Sequence, residues 1–168
     1  MTEHQRGNGV SLRRNKGNIH LLIPEYKKLI ASTKRVRQFA YAPYSKFKVG
    51  SAVLTFNGKI YTGCNVENAS YGLSICAERV AIAKAVTAGE RKIRAIATVL
   101  ESKESVGPCG ACRQVISEFV NDVRVIMVTL SGKNSKQKFL IKKISQMIPY
   151  SFNRSQLNIP DYEVRWKK

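Results

Sequence analysis

The sequence predicts an α/β domain in which helices pack on the faces of one β-sheet, and three observations carry that reading. Segments rich in β-formers and segments with a helical apolar period follow one another in the order β-β-α-β-α-β. The first two β segments are joined by Asn57-Gly58, a dipeptide that favours a tight hairpin. At 168 residues, 43% hydrophobic and 24% charged, the chain has the length of one domain and enough apolar side chains for an ordinary core.

In chain order, residues 1–20 set Gly7, Gly9 and Gly17 among Arg13, Arg14 and Lys16 with no apolar period. They are expected to form a mobile basic extension ahead of a domain over residues 21–168. Pro24 suits the first turn of a helix with Tyr26, Leu29, Ile30 and Val36 on one face and Lys27, Lys28, Lys34 and Arg35 available for the other. Ala42-Pro43-Tyr44-Ser45 breaks that helix. Strands are predicted over residues 47–56 and 59–66, followed by a loop over 68–74 and a helix over 75–88 that ends at Gly89. A strand over 93–100, a loop over 101–107 and a helix over 109–119, introduced by Pro108, come next. A strand over 123–130 and a helix over 137–147 complete the pattern, and the last twenty residues fit neither period. There is no internal repeat.

Charge is unevenly distributed. Twenty-nine Lys and Arg against eleven Asp and Glu give +18, of which residues 1–48 carry +9, residues 49–128 carry +2 and residues 129–168 carry +7. Basic ends around a nearly neutral middle read either as solvated lysine or as a footprint for non-specific contact with nucleic acid or another anion. No apolar run approaches the about 18 residues of a membrane-spanning helix. Only Leu21-Leu22-Ile23 follow the basic N-terminus, so no secretory signal is expected. Four cysteines, Cys64, Cys76, Cys109 and Cys112, then suggest a reduced, cytoplasmic compartment and metal binding rather than disulfides.

Cys109 and Cys112 are spaced i, i+3 at the start of a helix, so both sulfurs face one side. A helix start also favours thiolate over thiol, because its free backbone N–H groups stabilise negative charge. Cys76 supplies a third sulfur from the start of the other helix, and parallel strands would bring both starts to the same carboxyl edge of the sheet. Such a set makes a zinc site with one tetrahedral position left over. Cys64 in that position would close a structural site; water there would make a catalytic one. Glu78, two residues after Cys76, could reach the open position without being a ligand, which favours the hydrolytic arrangement. Cys64 itself reads as a small, partly buried strand residue. Arg79 and Arg113 are either surface arginines or donors to the thiolates, which keep a net negative charge with Zn²⁺. His4 and His20 fit no ligand pattern, and Phe47 taken alone reads as core.

Four blocks in order resemble the zinc-dependent cytidine deaminases of the free-nucleoside, homotetrameric type, over roughly residues 22–152. They are Tyr44-Ser45-Lys46-Phe47-Lys48-Val49-Gly50, Gly63-Cys64-Asn65-Val66-Glu67-Asn68-Ala69-Ser70-Tyr71-Gly72-Leu73, Cys76-Ala77-Glu78-Arg79 and Pro108-Cys109-Gly110-Ala111-Cys112-Arg113-Gln114. The resemblance implies a three-layer α/β/α fold with a central mixed β-sheet. It implies one Zn²⁺ per subunit on Cys76, Cys109 and Cys112, with water or hydroxide as the fourth ligand. Glu78 would shuttle a proton from that water to the ring N3 and the departing amine as hydroxide attacks C4, turning cytidine or deoxycytidine into uridine or deoxyuridine plus ammonia. Backbone groups at Ala77 and Cys109 would contact the base, Phe47 would pack on it, and Asn65 and Glu67 would hold the ribose 3′-hydroxyl. Ala69, Tyr71 and Phe152 would contribute across subunit boundaries in a homotetramer with shared sites, and pyrimidine salvage would be the setting.

Ser51 departs from the alanine usual in that family, a small polar change expected to matter little. Two other functions are weighed against the first: deamination of cytosine within single-stranded nucleic acid, and a zinc-stabilised nucleic-acid-binding module closed by Cys64. Cys76-Ala77-Glu78, in place of the His-x-Glu of nucleic-acid-editing relatives, opposes the former, and Glu78 opposes the latter. Deamination of a blasticidin-type antibiotic is opposed by the ribose-reading Asn65-Val66-Glu67-Asn68 block.

Overall fold

A computed structural model describes residues 23–119, 123–131 and 136–157. The expected extension over residues 1–20, with His4 and His20, lies outside the described residues.

Helix α1 (Pro24–Arg37) starts with Pro24, whose missing N–H costs nothing at a first turn. It buries Tyr26, Leu29, Ile30 and Thr33, an i, i+3, i+4, i+7 stripe; Thr33 takes the place expected for Val36, which is half-buried. Strands β1 (Gly50–Thr55) and β2 (Ile60–Cys64) form an antiparallel hairpin through Asn57-Gly58. Gly58 adopts φ +83°, a conformation glycine reaches without strain. Helix α2 (Ala77–Thr87) follows, and Gly89 at φ +81° sits just past its end. Strand β3 (Ile93–Glu101), helix α3 (Gly110–Phe119) and strand β4 (Arg124–Ser131) continue the βαβ pattern.

The expected helix over 137–147 is a correction. Strand β5 (Lys136–Lys143) pairs antiparallel with β4 along its whole length, and only Ile144–Gln146 forms a 3₁₀ turn. Leu140, Ile144, Met147 and Ile148 mimic a helical period in sequence. In the fold they serve two separate structures: Phe139 and Ile141 pack towards α1, Leu140 towards α2 and α3, as strand residues between two covered faces must.

The five strands are ordered β2-β1-β3-β4-β5. β3 and β4 are parallel while β1 and β5 run against their neighbours, so β2, β3 and β4 share one direction. α1 covers one face over Ala52, Leu54, Ala95, Ala97 and Val99. α2 and α3 cover the other over Val53, Ile96, Val125 and Met127. The result is the three-layer α/β/α arrangement around a mixed sheet. No helix among the described residues is long and apolar enough to cross a membrane.

α2 lies close on β2 because Gly63 carries no side chain. A Cβ there would fall 2.4 Å from the Ala81 nitrogen and 2.6 Å from the Ala77 oxygen, both backbone atoms that cannot move aside. Gly63→Ala should therefore lower unfolding stability by about 1–3 kcal/mol in urea denaturation. Gly72→Ala, with nothing within 4 Å of the new carbon, should stay within about 0.5 kcal/mol of wild type.

Candidate active site

Because β2 and β3 point the same way, the segments leaving them reach one edge of the sheet, where α2 and α3 begin. Cys76 is the N-cap of α2; Cys109 immediately precedes α3 and Cys112 lies in its first turn. Their sulfurs all lie within 4.8 Å of one another, with Cys76 Sγ and Cys109 Sγ 3.9 Å apart. Tetrahedral zinc with thiolates at about 2.3 Å spaces its sulfurs at ~3.8 Å, so the donor set fits one zinc ion. Cys112 is buried, Cys76 half-buried and Cys109 exposed, which leaves the cluster open on the Cys109 side.

Donation from the Cys112 thiol holds Cys76 down at about 6; burial and the Glu78 charge oppose this, and Cys109 and Arg79 assist. Cys112, as the donor in that pair and itself buried, is pushed the other way. Cys64 is not among the clustered sulfurs, and burial raises its thiol. The all-cysteine closed site is therefore not what the described residues build.

Glu78 stands beside the cluster rather than in it. Its residue is 4% exposed, in the first turn of α2. Oε2 accepts from the Cys112 thiol at 3.5 Å, and Oε1 accepts from the Thr98 hydroxyl at 3.3 Å. Burial pushes the carboxyl upward, against these hydrogen bonds and one from its own backbone N–H. A carboxyl so placed can hold or release a proton next to the metal position. Thr98 escaped the sequence reading, although strand alternation would have put it on the α2 side of β3.

Asn65 and Glu67 have work inside the chain. Asn65 Oδ1 accepts from the Val49 N–H at 2.8 Å, and its Nδ2 donates to the Phe47 carbonyl at 2.9 Å. Glu67 accepts from the backbone N–H groups of Tyr44 (2.9 Å) and Ser45 (3.3 Å) and from the Ser45 hydroxyl. That hydroxyl bond leads the causes that hold its carboxyl below the usual range. Ser45 Oγ in turn accepts from the Phe47 N–H at 3.0 Å. Together they bind the 44–49 segment, with Lys46 at φ +59°, and explain why β1 starts at Gly50 and not at residue 47. Phe47 is consequently 42% exposed rather than core.

Ala77 is fully buried, Ala69 is exposed and Tyr71 is 60% exposed, its ring edge-on to Tyr44 at 6.4 Å. Arg79 is exposed and acts on Cys76 through its charge. Arg113 differs from the expectation that it donates to a thiolate. Its Nε donates to the Pro108 carbonyl at 2.7 Å and a terminal nitrogen to the Met147 carbonyl at 3.0 Å. Gln114 adds a 2.6 Å bond to the Phe152 carbonyl. These two residues fasten the C-terminal segment to α3 and leave the Phe152 side chain 57% exposed.

Comparison with known proteins agrees with this geometry. The family model for the cytidine and deoxycytidylate deaminase zinc-binding region matches residues 24–129. The chain is 43% identical over 134 residues to a cytidine deaminase of Sporosarcina psychrophila, spanning 80% of this chain and 96% of that one. It is 44% identical over 126 residues to a probable cytidine deaminase of Dictyostelium discoideum, spanning 73% and 85%. The crystal structure of cytidine deaminase from Burkholderia pseudomallei superposes with a TM-score of 0.70 at 43% identity, covering 76% of this chain and 98% of that one. With its three-layer fold and its convergent Cys76, Cys109 and Cys112, the chain belongs to the cytidine and deoxycytidylate deaminase family.

Proposed function

We propose that this chain hydrolyses cytidine and deoxycytidine to uridine and deoxyuridine with release of ammonia. The observation that carries the reading is a buried carboxyl, Glu78, 3.5 Å from a sulfur of a three-cysteine metal set. Zinc held by Cys76, Cys109 and Cys112 would keep one coordination position open and supply an activated water. Glu78 relays the two protons of the water in turn, the first to N3 and the second to the departing amine, so water and cytidine give uridine and ammonia with no other reactant. Backbone groups at Ala77 and Cys109 meet the base, and Phe47 packs on its face.

Asn65 and Glu67 hold the 3′-hydroxyl with the atoms and lone pairs left over from the 44–49 segment. An amide beside a carboxylate suits a neutral hydroxyl and repels a phosphate, which favours the nucleoside over a polynucleotide. Ala69, Tyr71 and Phe152 complete a neighbour's site in a homotetramer. The exposure of these side chains, together with Phe47, supports that assembly, since apolar surface at a site rim is commonly covered. Residues 21–168 form the catalytic domain, and residues 1–20 form a basic extension suited to non-specific anion or nucleic-acid contact. Pyrimidine salvage in the cytoplasm is the setting that a free-nucleoside substrate and reduced cysteines favour.

Zinc content is expected to be one ion per chain. Changing Cys76, Cys109 or Cys112 to Ala should remove most of it, and Cys64→Ala should leave it intact, as read by elemental analysis of purified protein. The zinc-loaded protein should lower the ultraviolet absorbance of cytidine and release equal ammonia. Glu78→Gln should keep its zinc and lose about 10²–10⁴-fold in kcat; retained turnover would sink the mechanism. For the shared site, light scattering should give four chain masses. Phe152→Ala should lower kcat/KM about tenfold, and refolding it together with Glu78→Gln should restore activity per intact Glu78. No gain on mixing would argue for sites contained within one subunit.

A further inference from the structure

Ser51 on β1 is paired in register with Thr98 on β3. Val53 and Ile96, two residues away on their strands, pack towards α2, so strand alternation turns Ser51 and Thr98 to that side as well. Both are buried, at 0% and 4% exposure. Ser51 Oγ donates to the Ala97 carbonyl at 2.9 Å and lies 3.2 Å from Thr98 Oγ1. Thr98 donates to Glu78 Oε1 at 3.3 Å, while the other carboxyl oxygen faces Cys112. A line of polar groups therefore crosses from β1 through β3 to α2, in a layer whose other members are Val53, Ile96, Val125 and Met127.

We propose that Thr98 and Ser51 are positioning residues for Glu78: Thr98 fixes the rotation of the carboxyl, and Ser51 acts through Thr98. This rests on the reading of Glu78 as the proton carrier. A turn of the carboxyl would exchange its two oxygens between the cysteines and the sheet. Cys112 has no hydrogen left for Oε2 once it binds metal as a thiolate, so the Thr98 hydroxyl on Oε1 is the side-chain bond that sets the rotation. Thr98 gives its hydrogen to Oε1, and Ser51, whose hydroxyl lies between the Ala97 carbonyl and Thr98 Oγ1, fixes the Thr98 hydroxyl from the far side. The Ser51 hydroxyl lies against Thr98 rather than against Glu78 itself.

The test uses the full, zinc-loaded chain with cytidine, measuring kcat, KM, zinc content and melting temperature. Thr98→Val keeps the side-chain shape and removes the hydroxyl. It should lower kcat about tenfold, with KM within about twofold and zinc retained. Thr98→Ser should restore kcat to within about twofold of wild type. Ser51→Ala should cost about threefold, and Ser51→Ala with Thr98→Val should be no worse than Thr98→Val alone, because Ser51 has nothing left to act through. The proposal falls if Thr98→Val turns over at the wild-type rate, if the two losses multiply, or if KM rises while kcat holds. Should Thr98→Val fail to fold, Ser51→Ala decides, and an unchanged kcat overturns the proposal. A wild-type chain without turnover defeats the functional reading and this inference together. Normal wild-type turnover with unaffected variants defeats this inference alone.

Discussion

Three sulfurs must meet within the span of one metal ion, and most of the architecture serves that requirement. Cys76 and Cys109 are 33 residues apart in sequence and 3.9 Å apart in space. The sheet makes this possible by running β2 and β3 in one direction, so that two helices start at one edge. Close packing then sets the depth of each start. Gly63 and the Ala77, Ala81 and Ala85 stripe let α2 lie low on β2, which fixes Cys76 at its first turn. All three sulfurs stand at helix N-termini, a favourable placement for thiolates whose negative charge exceeds that of the metal they would bind.

The parts of the site that depend on spacing were readable in the sequence. The i, i+3 cysteines, Glu78 two residues after Cys76, and the hairpin at Asn57-Gly58 follow from local geometry, and the fold places them as expected. What was not readable depends on partners distant in sequence. Residues 137–147 carry a helical period, yet β4 presents an open edge and the strand pairing wins. Arg113 looks free to serve a thiolate until the carbonyls of Pro108 and Met147 arrive beside it. Ser51 looks inconsequential until β3 sets Thr98 opposite it. In each case a tertiary contact decided between choices that the local sequence left equal.

Charge is arranged with similar economy. The basic side chains that give the molecule its +18 include Lys34 and Arg35 on α1 and Lys138, Lys142 and Lys143 on β5. Beside the cysteines stands a buried carboxyl, Glu78. A polyanion drawn to the basic surfaces would be repelled by negative charge there. A neutral nucleoside would not. The surface charge therefore gives no reason to prefer a polynucleotide substrate, and the site gives a reason against one.

Glu78 also shows where the fold gives up stability for chemistry. Burying a carboxyl is costly unless its oxygens are hydrogen-bonded, and here the bonds are long: 3.3 Å to Thr98 and 3.5 Å to Cys112. More donors and closer ones would stabilise the carboxylate and hold its proton affinity low, as happens at Glu67, where the Ser45 hydroxyl leads and the Tyr44 and Ser45 N–H groups add to it. Glu78 has one backbone donor, its own, and otherwise depends on a thiol and a hydroxyl at long distances, which burial outweighs. The same residue type is thus shifted in opposite directions within one chain, downward at Glu67 and upward at Glu78. That difference follows from what surrounds each carboxyl, a loop that offers the Ser45 hydroxyl and free N–H groups in one case and a closed apolar layer between α2 and the sheet in the other.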